Sequence, residues 1–211
     1  PVVLNLDHGL HFEAVMQAIR LGFTSVMFDG STLSYEENIR QTREVVKAAH
    51  AVGVSVEAEL GAVGGDEGGA LFGEADSEKF TDPRLAAEFV RETGIDTLAV
   101  AIGNAHGKYK GEPKLDFDRL AAIREQTGVP LVLHGGSGIS DADFRRAISL
   151  GIHKINFYTG MSQAALDAVE RSLASRNTRY DEFAELLMAV ENAICETVMQ
   201  QMKIFGSVGQ A

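Results

Sequence analysis

Three of the chain's six histidines share one local setting. His8, His106 and His134 each lie at or just past the end of a short apolar run, and a glycine follows each of them. Three imidazoles delivered by three different segments are a typical donor set for Zn²⁺ or a similar divalent ion, and a carboxylate commonly completes it. Glu59, at the end of Val54–Leu60, is that carboxylate, and Asp29, after Thr24–Phe28, offers a second one. Asp29 has three readings: a second metal position, a hydrogen-bond partner for a ligand histidine, or a helix cap. Asp7 immediately precedes His8, so it can face substrate while His8 faces a metal, as an acid/base for a hydroxyl proton requires. His11, His50 and His153 lack this setting and read as ordinary structural histidines.

A second kind of chemistry sits beside the first. After Leu131-Val132-Leu133-His134 comes Gly135-Gly136-Ser137-Gly138, then the acidic start of a helix. A glycine turn ahead of a helix brings backbone N–H groups close to an anion such as phosphate. Gly107, Asn156 and Thr159 add N–H and hydroxyl donors, and Lys110 adds charge. The stretch Gly64-Gly65-Asp66-Glu67-Gly68-Gly69 has two carboxylates between glycine hinges. Attached to the Glu59 segment, it reads as a loop able to close over substrate.

These residues need a scaffold that brings segment ends together. The expected strands are Val2–Leu6, Thr24–Phe28, Val54–Leu60, Thr97–Ile102, Pro130–His134 and Lys154–Phe157. The helices between them are Phe12–Leu21, Tyr35–Val52, Arg84–Glu92, Phe117–Gln126 and Ala142–Leu150, and Ser162–Ala174 and Tyr180–Phe205 finish the chain. Strand then helix, repeated, with glycines closing the helices, predicts parallel βα units. No GxGxxG fingerprint marks a dinucleotide crevice, whereas polar groups end nearly every strand. A ring of strand ends around one site is what a (β/α)₈ TIM barrel provides. The expectation is a single barrel domain over 1–211, made of the last six βα units plus C-terminal helices, with the first two units absent from the N-terminal side. An open fragment of that kind would leave two strand edges bare.

Composition narrows the function. A net charge of −11 argues against nucleic acid or an anionic membrane as partner. An acidic protein still binds a phosphorylated metabolite when a metal and local N–H groups supply the positive field. Cys195 is the single cysteine, which excludes an intrachain disulfide and favours a cytoplasmic setting. No apolar run has the length of a membrane span.

The segments LDHG, FDGS, VEAELG with VGGDEG, AVAIGNAHGKYK, LVLHGGSGI and KINFYT, in this order, resemble the class II, metal-dependent ketose-bisphosphate aldolases of the fructose and tagatose types. The resemblance runs from Pro1 to about Gly206. It implies catalytic zinc on His8, His106 and His134, with Glu59 able to join and Asp29 at a secondary position for a second divalent or a monovalent cation. It also implies Asp7 as the residue exchanging the C4 hydroxyl proton and Glu67 as a proton-transferring loop residue. Gly107, Gly135, Ser137, Asn156 and Thr159 match the site for the dihydroxyacetone-phosphate end, with Lys110 beside it. The implied reaction is retro-aldol cleavage of a ketose phosphate or bisphosphate without a Schiff base, in a homodimer or homotetramer. Lys154 is expected to be structural or salt-bridged rather than nucleophilic.

Two departures stand out. Phe157-Tyr158 is bulkier than the family's usual residues there, and Met188 falls where bisphosphate-cleaving relatives carry an arginine, Arg179 being the nearest upstream. They keep open a ketose 1-phosphate without a second phosphate as substrate. Two readings of other classes are a non-catalytic sugar-phosphate-binding protein and a metal-dependent hydrolase. Retention of Asp7 with all three histidines argues against the first, and the phosphate-cradling strand ends against the second.

Overall fold

The computed structural model describes residues 2–65, 77–109, 111–175 and 183–210. Six parallel strands follow one another in chain order: β1 Asn5–Gly9, β2 Ser25–Phe28, β3 Ser55–Leu60, β4 Thr97–Val100, β5 Leu131–Leu133 and β6 Ile152–Ile155. Helices α1 Phe12–Arg20, α2 Tyr35–His50, α3 Pro83–Thr93, α4 Phe117–Thr127 and α5 Asp141–Ser149 connect them, and α6 Thr159–Ala174 and α7 Phe183–Phe205 follow β6. The sheet is curled like part of a barrel, so far that Asn156, just past β6, hydrogen-bonds Asp7 in β1.

Helix starts and stops follow local chemistry. Ser34, Asp82, Asp116 and Ser140 cap α2, α3, α4 and α5 with side-chain oxygens that accept first-turn N–H groups. Gly94 and Gly128 end α3 and α4 in the left-handed conformation, which costs glycine little.

Alternation along the strands divides the interior into two layers. Val26, Phe28, Val56, Ala58, Leu98, Val100, Leu131 and Leu133 point outward and pack with helix residues such as Val15, Val45, Phe89, Ile123 and Phe144 in one large core. The alternate positions point into the concave side, where Met27, Ala99 and Val132 form a small apolar layer of their own. Beside these residues on the same side stand polar groups, Glu57, Glu59 and His134, all buried.

Several boundaries differ from the sequence expectation; β1, for example, ends at Gly9 rather than Leu6 and so includes Asp7 and His8. Val2, Val3 and Leu4 are exposed and lie ahead of β1, because β1 is a sheet edge with a neighbour on one side only. Strand β6 starts two residues earlier than expected, where Ile152 aligns with Leu131. Thr159, expected in a strand-end loop, is the first residue of α6.

Candidate active site

His8 occupies an unusual backbone position. Pairing of β1 with β2 slips between Leu6 and Gly9, and His8 has φ 47°, the one positive value on a non-glycine among the described residues. Such a backbone costs on the order of 1–3 kcal/mol, and it persists where the surroundings hold it. Here Asp29, one residue past β2, holds the ring: its Oδ2 lies 2.7 Å from His8 Nδ1, and its Oδ1 accepts the Ser31 N–H. Burial would raise the Asp29 carboxyl, but its bonds to His8 and Ser31 outweigh that and bring it down to about 2.

His134, fully buried, continues β5 on the concave side. Its Nε2 lies 2.9 Å from Glu57 Oε1, and its Nδ1 lies 2.9 Å from His8 Nε2. Burial favours the neutral His134 ring and lowers its pKa, outweighing the bond to Glu57, which raises it. The Glu57 carboxyl is lowered: burial opposes ionisation, but its bond to His134 and the nearby Lys154 charge prevail. A carboxylate only accepts, so the ring nitrogen facing it carries the proton. The other two ring nitrogens, His8 Nε2 and His134 Nδ1, face each other at 2.9 Å. A cation placed between these two nitrogens would be bound by both.

His106, nearly buried, enters from the loop after β4 and completes the group. His8, His106 and His134 offer ligand atoms all within 4.8 Å of one another, and so do His8, Asp29 and Glu59. Glu59 Oε2 is buried without a hydrogen-bond partner. Burial, reinforced by the Asp29 charge, raises the Glu59 carboxyl to about 8. Converging ring nitrogens and a buried carboxyl oxygen without a partner fit a divalent cation better than an empty polar core.

The anion-binding residues also meet. His106, Gly107, Gly135, Gly136, Ser137, Asn156, Tyr158 and Thr159 line one small cleft. Gly135 has φ 64°, and a Cβ there would lie 2.1 Å from the Ala105 carbonyl oxygen, so only glycine lets the two loops touch. Tyr109 ties the same loops together, its hydroxyl accepting the Ala105 N–H and donating to the Gly135 carbonyl. Ser137 Oγ accepts the Gly160 N–H in the first turn of α6. Asp7, exposed, receives Asn156 Nδ2 at 2.9 and 3.1 Å.

Glu67, Lys110 and Arg179 lie outside the described residues. Met188 is exposed on α7, and Tyr158 is 56% exposed at the cleft. The three histidines set aside from the sequence stand apart: His11 precedes α1, His50 pairs with Asp96, and His153 bonds the Gly151 carbonyl. Lys154 is salt-bridged to Glu57 at 2.9 Å, as expected. The part that Glu57 plays was missed. Its signal was available, because a residue two positions before Glu59 on a strand shares its face.

The family model described as fructose-bisphosphate aldolase class-II matches residues 1–210. The chain belongs to this family. It is 49% identical to the fructose-bisphosphate aldolase of Geobacillus stearothermophilus, over all of this chain and 72% of that protein. It is also 49% identical to the 6-phospho-5-dehydro-2-deoxy-D-gluconate aldolase of Shouchella clausii, over all of this chain and 70% of that protein. Among solved structures, the YdjI aldolase of Escherichia coli K12 superposes with TM-score 0.86 at 44% identity, covering all of this chain and 72% of that one. A class II aldolase is a carbon–carbon lyase, and metal-dependent aldol cleavage is the activity this membership carries. The comparisons favour neither the non-catalytic binding protein nor the ketose 1-phosphate restriction. No helix among the described residues is long and apolar enough to cross a membrane.

Proposed function

We propose that this chain cleaves a ketose phosphate or bisphosphate to dihydroxyacetone phosphate and an aldehyde, and runs the reverse condensation, with zinc held by His8, His106 and His134. The convergence of His8, His106 and His134, with Asp7 next to His8 in the chain and held by Asn156, carries this reading. Zinc, when bound, polarises the ketose carbonyl and offsets negative charge developing beside it. Asp7, oriented by Asn156, accepts the C4 hydroxyl proton. The C4–O electrons form the aldehyde carbonyl while the C3–C4 pair passes to C3, next to the carbonyl. Protonation at C3 then gives dihydroxyacetone phosphate, and Glu67, on its glycine-hinged loop, is assigned that proton.

Gly107, Gly135, Ser137, Asn156 and Thr159 are assigned the phosphate, with Lys110 adjacent; cleft lining and the α6 N-terminus support this. The second cluster, Asp29 and Glu59 with His8, is assigned a further divalent or a monovalent cation. We read the six strands as the last six of a (β/α)₈ barrel, since barrel closure is what pairs the free edges of β1 and β6. A cytoplasmic homodimer or homotetramer fits the exposed apolar residues Phe183, Leu187, Met199 and Met202 of α7.

Relatives equally close to this chain bear names with different substrates. The substrate therefore has to be measured. The test is a coupled assay for dihydroxyacetone phosphate on the full-length protein, with fructose 1,6-bisphosphate, tagatose 1,6-bisphosphate and ketose 1-phosphates. Release that EDTA abolishes and zinc restores is the expected result. No release from any of them by folded, zinc-loaded protein would sink the reading.

A further inference from the structure

Glu57 and Lys154 are charged groups on the concave side that the reaction above leaves without a role. Glu57, 2% exposed, stands on β3, and Lys154 stands on β6, with β4 and β5 between them. Their ion pair at 2.9 Å therefore spans the concave side like a chord. Each partner also grips a residue of the site. Glu57 uses its other oxygen for His134 Nε2 at 2.9 Å. Lys154 Nζ also donates to Asn156 Oδ1 at 2.8 Å.

The second contact decides which way the Asn156 carboxamide faces. Its two ends are nearly the same shape and differ only in donating or accepting. With Oδ1 held by an ammonium, Nδ2 must point away from it, and it points to both oxygens of Asp7. A flipped carboxamide would set an oxygen against the Asp7 carboxylate and an NH₂ against the ammonium. The first contact works the same way on the metal side. Lys154 Nζ on Glu57 Oε2 holds that carboxylate unrotated, so that Oε1 stays on His134 Nε2 and Nδ1 keeps facing His8.

We propose that Lys154 is a positioning residue for both halves of the site. It acts on Asp7 through Asn156 and on His134 through Glu57. This rests on the reading of Asp7 as proton acceptor and His134 as zinc ligand. One cation thus keeps the base and a ligand in register across the sheet.

The experiment compares wild type, Lys154→Met and the double variant Glu57→Gln/Lys154→Met, all full-length. Zinc affinity is read by chelator competition, and kcat and KM are read with fructose 1,6-bisphosphate or the preferred ketose phosphate. Lys154→Met should weaken zinc about tenfold and lower kcat roughly 30-fold or more, with KM within about threefold. The double variant removes the unpaired buried charge, so it keeps the fold even if the single variant does not. It should still show the weak zinc binding and the low kcat, because nothing orients Asn156 or residue 57. A folded double variant with wild-type kcat and zinc affinity overturns the proposal, since Lys154 would then only neutralise Glu57. If wild type itself cleaves no sugar phosphate, the reaction reading fails separately. The zinc arm then decides alone, and unchanged affinity in the double variant overturns the positioning role.

Discussion

The two faces of one sheet make opposite use of the same strands. On the convex side, Val26, Phe28, Leu98, Val100, Leu131 and Leu133 pack against helices in a mainly apolar layer, where the buried polar side chains Asn38, Thr42 and Thr93 are uncharged and hydrogen-bonded. On the concave side, the alternate residues include Glu57, Glu59 and His134, charged or polar and equally buried. The convex face gains free energy by leaving water. The concave face loses free energy when its polar groups are desolvated, and recovers it only through specific partners. Stability and chemistry are thus separated by one residue of register. A one-residue slip of β3 would send both glutamates into the helix layer and bring Val56 and Ala58 inside.

The sharpest way to break this contrast is to remove one group from each face. His134→Ala on the concave side should lower kcat/KM by about 10³-fold or more, since it removes a proposed ligand and the partner of Glu57. Its melting temperature should change far less than its activity, which calorimetry beside the coupled assay would show. Phe89→Ala should do the reverse. Phe89 is fully buried in the helix layer, so its loss should cost about 3–5 kcal/mol in denaturant unfolding while kcat of the folded fraction stays within about twofold. A large fall in kcat there would show that the faces are mechanically coupled.

The smallest effect sharpens the account of Glu59. Its carboxyl is raised from 4.5 to about 8, so the folded metal-free protein keeps a proton that the unfolded chain has released. The contribution of Glu59 to the stability of that form is therefore fully present below pH 4.5 and falls as pH rises from 4.5 toward 8. Between pH 6 and pH 8 the loss should be roughly 2 kcal/mol. Glu59→Gln should flatten this slope in urea unfolding, and zinc should flatten it in wild type. A slope unchanged in Glu59→Gln would place the pH dependence elsewhere.

Much of the scaffold was legible because it is set locally. Helix ends follow from caps such as Ser34 and Asp82 and from glycines such as Gly94, all within a few residues of what they terminate. Strands β2 to β5 are marked by short β-branched and leucine runs, and their ends agree to within two residues. The misplaced start of β1 has a different origin. Val2-Val3-Leu4 has strand character, but burial needs neighbours, and an edge strand has only one. The gathering of His8, His106 and His134 was also legible, through the rule that parallel strands present their C-terminal ends together.

By itself, then, the sequence determined the order of strands and helices, the chemical inventory at the strand ends, and the glycines that let two loops touch. Periodicity, capping and residue type act over a few positions and need no knowledge of the rest. Only the tertiary structure decided who holds whom: Asp29 on His8, Glu57 between His134 and Lys154, and Asn156 on Asp7. Asn156 and Asp7 are 149 residues apart in the chain. Their meeting depends on the order and curl of six strands. Buried charged groups take the partners that such geometry supplies, and those partners decide which nitrogen keeps its proton and which is left to bind.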